Sequence, residues 1–112
     1  MYYWQEKNLK IDKNSKILIG LGDSFTQGQG ACSIDLWEKY DWDINKMNLG
    51  ENVDVLESNY KNSWVNKICE NYLTDFTPIN FGMLGRGNRA AANELYLHPE
   101  LNLEMAKEKI VV

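Results

Sequence analysis

Lys16-Ile17-Leu18-Ile19-Gly20-Leu21 runs directly into Gly22-Asp23-Ser24-Phe25, and the reading of this stretch decides the fold. The first six residues form a short apolar run bounded by Asn14-Ser15 before it and Gly22-Asp23 after it. A strand buried on both faces, as in a parallel sheet, reads as such a run instead of alternating apolar with polar. A serine at the turn that follows projects its hydroxyl from the carboxyl edge of the sheet, where open α/β folds bind ligands. Gly22 lets the backbone bend tightly, and Asp23 supports the turn. Taken alone, Gly22-Asp23-Ser24-Phe25 favours a plainer reading, a turn entering a helix N-cap, which Asp23-Ser24 also serves.

Working outward, residues 1–15 are mixed aromatic and polar and read as an entry segment with a short strand, and Phe25 to Gly30 reads as a short helical turn broken by Gly28 and Gly30. Residues 31–60 lose clear periodicity. Asp35, Glu38, Asp41, Asp43, Glu51, Asp54 and Glu57 face only Lys39 and Lys46 there, so this acidic insertion holds the negative balance of the whole chain. It is expected at the surface, with a short helix near Ile34 to Tyr40. Ser63 caps a helix expected to reach Leu73, with Trp64, Val65, Ile68, Cys69 and Tyr72 on one apolar face. Thr77-Pro78-Ile79-Asn80-Phe81 is a second strand, its proline placed early, where no ladder donor is needed. A third helix spans Arg89 to about Leu97 and is ended by Pro99. Glu100 to Glu108 allows another helical turn, and Lys109-Ile110-Val111-Val112 begins a third apolar run. Strand, helix, strand, helix, strand predicts a parallel α/β sheet.

Composition narrows the function. The 112 residues suffice for one small domain, and 44% hydrophobic residues provide a core. A net charge of −4 argues against nucleic acid and against anionic membrane surfaces as partners, because both need clustered Lys and Arg. Met1-Tyr2-Tyr3-Trp4-Gln5-Glu6-Lys7 lacks the pattern of a secretory signal, and no apolar stretch is long enough to span a bilayer, so a cytoplasmic location is expected. Cys32 and Cys69 are expected as reduced thiols, with one disulfide as the alternative. Two cysteines and one histidine are too few for a usual zinc site, and no metal or cofactor is expected.

A second glycine-rich turn follows the second strand: Asn80-Phe81-Gly82-Met83-Leu84-Gly85-Arg86-Gly87-Asn88. It also leads from strand to helix, at the same edge of the sheet, and leaves backbone N–H groups free to face a ligand. Together the two turns resemble the SGNH (GDSL-type) serine hydrolase family. That family carries Gly-Asp-Ser after its first strand and Asn-x-Gly-x-x-Gly after its second, and Trp64 matches a tryptophan it often has one helix earlier. The resemblance covers most of residues 16–112 apart from the acidic insertion. The glycine-rich second block and long first insertion look most like the bacteriophage-associated branch, which would make the protein phage- or virion-associated.

The resemblance implies a three-layer flavodoxin-like fold and hydrolysis of an acyl ester or acetylated carbohydrate. Ser24 matches the nucleophile, with its own N–H as one oxyanion donor, and Gly85 matches a second donor through its backbone N–H. The family's third-block asparagine and its histidine, usually with an acid three residues before it, are not seen; both are expected past Val112. The chain therefore reads as a single incomplete domain, 1–112, with about three strands. Its base would come from a missing segment or a C-terminal partner chain meeting the unpaired edge of the last strand. His98 is not expected to be the base. Leu95 stands where the acid would be, and a crossover helix ends at the edge opposite Ser24; a surface position is expected instead.

Competing readings remain. The chain could be a non-catalytic binding or structural module derived from this fold, or a phosphate binder using Gly82 to Gly87, although no P-loop Lys or Ser/Thr follows. Asp41-Trp42-Asp43-Ile44-Asn45-Lys46 echoes a calcium loop, but Lys46 replaces the glycine and Asn52 the closing glutamate. Trp37, Tyr40 and Trp42 are expected to anchor the insertion; a lid or sugar-stacking platform over Ser24 is the alternative. Arg86 and Arg89 are expected to be solvated.

Overall fold

A computed structural model describes residues 9–48, 51–83 and 87–112. Three parallel strands form one sheet in the order β2-β1-β3, with β1 at Lys16–Gly20, β2 at Thr77–Asn80 and β3 at Glu108–Val111. Ile19 lies opposite Ile79 on one side and Val111 on the other. The apolar run at residues 16–21 is thus the central strand, buried from Ile17 to Gly20. The strand alternation distributes it between two cores. Ile17 and Ile19 join Ile11, Leu56, Ile79, Phe81 and Leu103 on one face. Leu18 turns to the other and packs on Val65 and Cys69.

Helix α1 spans Ser24–Gln27, α2 Ile34–Lys39, α3 Ile44–Met47, α4 Val53–Lys61, α5 Trp64–Asn71 and α6 Asn88–Leu97. Two short 3-10 turns, Pro99–Leu101 and Leu103–Met105, lead into β3. Helix α5 starts where Ser63 Oγ accepts from the Asn66 N–H at 3.4 Å, and it brings Val65 and Cys69 against Leu18. Leu56 of α4 and Leu95 of α6 pack on the opposite core. Helices therefore cover both faces of the sheet, which a fully buried central strand requires. Burial pushes the thiols of Cys32 and Cys69 up from their ordinary values, and both are free.

The fold departs from the sequence reading in three places. Helix α5 stops at Asn71, and Tyr72 is exposed and not on the apolar face, because its backbone has left helical geometry. Leu73 and Phe76 from the following turn take its place against that core. The acidic segment is also more ordered than its irregular pattern suggests. It holds α2, α3 and most of α4, and Cys32, Met47 and Val55 form a small core beneath Leu36, Trp37 and Tyr40. Three short helices sharing one small core leave no long apolar stripe to read. Residues 9–15 form no strand, although Leu9 and Ile11 pack on the main core.

Among the described residues, no helix is long and apolar enough to cross a membrane.

Candidate functional site

Parallel strands end on the same rim, so the turns after β1 and β2 must lie side by side. Gly22 begins the first turn at φ +155°, where a Cβ would stand 2.3 Å from Thr26 Oγ1. Asp23 then caps α1, its carboxylate accepting the Phe25 N–H at 3.0 Å. Capping falls to Asp23 and not to Ser24. Among the described residues, none makes a hydrogen bond to the Ser24 hydroxyl.

The second turn is bound to the first by main chain and side chain together. The Phe81 N–H donates to the Gly20 carbonyl at 2.8 Å, and the Met83 N–H to the Gly22 carbonyl at 3.2 Å. Fully buried Asn80 closes the joint. Its Nδ2 donates to the Thr26 carbonyl at 2.6 Å and to Ser63 Oγ at 3.2 Å, while its Oδ1 accepts the Gly82 N–H at 2.8 Å. One amide orientation satisfies all three contacts. Gly82 lies so close to α1 that a Cβ there would stand 2.3 Å from the Gln27 nitrogen. Gly85 lies outside the described residues, as does Arg86; Arg89 is exposed on α6.

A cleft of about 250 Å³ opens beside Ser24, lined further by Phe25, Gln29, Gly30, Trp37 and Ile44. The acidic segment supplies its far wall. Trp37 and Trp42 stack with ring centres 5.5 Å apart and planes 20° from parallel. Trp37 and Tyr40 are half-buried against the small core, whereas Trp42 is exposed. Trp37 and Tyr40 therefore anchor the segment, and Trp37 also lines the cleft. Asp41 and Trp42 adopt φ of +56° and +57°. For a bulky residue that conformation is costly, and the turn is held by the Trp42 N–H donating to the Trp37 carbonyl at 2.8 Å.

His98 is neither a surface residue nor turned towards the amino edge. Its ring stacks on Phe81, the first residue past β2, with centres 5.1 Å apart. Nε2 lies 2.6 Å from the buried Glu94 carboxylate and Nδ1 3.4 Å from Glu100. On α6, Ala91, Glu94 and Leu95 face inward, and His98 continues that row after the helix ends. It does not line the cleft beside Ser24. Among the described residues, no group of three or more His, Cys, Asp or Glu is arranged to hold a metal ion.

Sequence reasoning did not find the structural role of Asn80 or the cleft wall formed by Phe25, Gln29 and Ile44. An asparagine two residues before a glycine is the signature of an Asx turn, which was the legible trace of the former. Comparison of the chain with protein-family models, curated proteins and solved structures found no match.

Proposed function

We propose that the chain carries the nucleophile half of an SGNH-type ester hydrolase, acting on an acyl ester or acetylated carbohydrate. The observation that carries this reading is the Ser24 hydroxyl, hydrogen-bonded by none of the described residues and positioned at a strand-to-helix turn beside a cleft, while Asp23 does the capping. A serine needed only to start a helix would spend its side chain on the cap. The strand order 2-1-3 is the beginning of the flavodoxin-like doubly wound order, in which ligands bind beyond the carboxyl ends of the strands. Helices on both faces agree with the three-layer architecture of that family.

In this reading Ser24 Oγ attacks the ester carbonyl and its proton passes to a base. The oxyanion is held by the N–H of Ser24 and that of Gly85, each such donor typically worth ~10²–10³ in rate. A serine hydroxyl is a weak nucleophile without that base. Among the described residues none is placed against it, so the base is expected from a further segment or a partner chain. The tetrahedral intermediate collapses, the ester C–O bond breaks and the alcohol leaves with the proton held by the base; water, giving its proton to the same base, then releases the acyl group as the acid and restores Ser24.

The same observation favours a second reading, a binding module that retains the turn geometry without catalysis. A fluorophosphonate reagent separates the two. With the segment or partner chain that supplies the base present, labelling of the folded wild type that disappears in Ser24→Ala supports the hydrolase; no labelling of that sample supports the binding module.

A further inference from the structure

Helix α1 is inverted with respect to polarity. Thr26 and Gln27 are buried, while Phe25, its one large apolar residue, is 84% exposed. Apolar residues exposed singly are ordinary, but a contiguous group marks an interaction site. Phe25 is not alone: Ile44 at 56% exposure and the Trp37 ring line the same cleft, and Trp42 extends the wall by stacking on Trp37. These residues come from three separate elements and from a turn held in a costly conformation, so one local sequence preference does not explain their meeting.

We propose that this cleft is a subsite for a neutral aromatic ring, stacked or edge-on against Trp37 between Phe25 and Ile44. Size favours one ring: an apolar cavity of about 150 Å³ holds benzene, and 250 Å³ leaves room for a short linker reaching Ser24. A sugar needs several polar partners, and among the described residues the lining offers the Ser24 and Gln29 side chains and the Trp37 indole N–H. Charge disfavours an anion, because the segment that supplies the far wall carries the acidic excess, with Asp43 directly before Ile44. That the ring belongs to an ester presented to Ser24 rests on the hydrolase reading; that the cleft takes a ring does not.

The test is a titration of the ¹⁵N-labelled full chain with benzyl alcohol, with methyl β-D-glucopyranoside and 1-hexanol as comparators. Benzyl alcohol is expected to move the amide signals of residues 24–30, 37 and 42–44 saturably. Phe25→Ser and Ile44→Ser are chosen because both side chains are exposed, so the fold survives. Each is expected to weaken binding about five- to tenfold, the loss of one good aromatic or apolar contact. Ser24→Ala is expected to keep ring binding within about twofold, since the hydroxyl adds little to an apolar contact, while losing fluorophosphonate labelling. With the segment or partner chain that supplies the base present, ring binding without labelling removes the hydrolase reading and leaves the subsite. Labelling without ring binding does the reverse. The subsite is overturned by shifts that do not saturate or that map elsewhere, by wild-type affinity in both Phe25→Ser and Ile44→Ser, or by tighter binding of the glucoside or hexanol.

Discussion

The side-chain amide of Asn80, at the end of β2, donates a 2.6 Å hydrogen bond to the main-chain carbonyl of Thr26 in α1. These residues are 54 positions apart in the chain, and the bond ties the second glycine turn to the helix that begins with Ser24. Because the same amide also accepts from Gly82 and reaches Ser63, Asn80 joins β2, α1 and the start of α5 at one buried point. The position of Ser24 relative to the second turn therefore depends on a polar side chain with no exposure to water.

Asn80→Ala should consequently be among the most damaging single changes. It leaves the Thr26 carbonyl and the Gly82 N–H without their partner, and each buried group so stranded costs about 1–3 kcal/mol. A loss of ~2–4 kcal/mol in a urea melt is expected. Asn80→Asp should be no rescue, because a carboxylate cannot donate to the Thr26 carbonyl.

Gly82→Ala and Gly87→Ser should have opposite signs. At Gly82 a Cβ meets the main chain of Gln27 and Thr26, which cannot yield without moving α1. A cost of about 1–3 kcal/mol is expected from such overpacking, together with shifted amide signals at residues 24–28. Gly87 caps α6 with extended geometry and no side-chain cap bond, in open space. A serine there can supply that bond and should gain a few tenths of a kcal/mol. Thermal melts of the two variants decide the point.

Asp23→Ala and Ser24→Ala separate structure from chemistry within one turn. Removing the Asp23 cap should cost about 1 kcal/mol. Removing the Ser24 hydroxyl, which makes no bond among the described residues, should change stability by less than about 0.5 kcal/mol. Only the latter should abolish labelling by a fluorophosphonate while leaving the fold unaltered. A Ser24→Ala variant as unstable as Asp23→Ala would show that the hydroxyl serves the turn.

Acid should weaken the fold partly through Asp75. The hydrogen bond from Lys16, at 2.9 Å, holds the Asp75 carboxyl below its ordinary 3.8, and the same bond raises Lys16 above its ordinary 10.5. A carboxyl lowered on folding contributes stability that is present above 3.8 and is lost as the pH falls through the folded value. The lysine's share is present below 10.5 and is lost as the pH rises through its own folded value. Both side chains are solvent-accessible, so the effect should be small and should shrink with added salt. Melting wild type and Asp75→Asn from about pH 5 to about pH 2 should show a steeper loss for wild type. Identical acid limbs would remove Asp75 from the account.

The sequence by itself determined the elements whose signals are local. The apolar run at residues 16–21, the Ser63 cap, the early Pro78 and the tight bend at Gly22 are set by neighbouring residues, and each lies in the structure as read, while Asp23, read as turn support, caps α1. Two parallel strands followed by turns also place those turns on one rim without any coordinates. Tertiary structure alone decided that β1 lies between β2 and β3, that Asn80 spends its amide on Thr26, and that His98 stacks on Phe81. It also decided that Cys32, Met47 and Val55 make a small core of the acidic segment and that Phe25 stays exposed while Thr26 and Gln27 are buried. Each of these depends on residues distant in the chain meeting in space, and burial energy and hydrogen-bond satisfaction are properties of that meeting, not of local propensity.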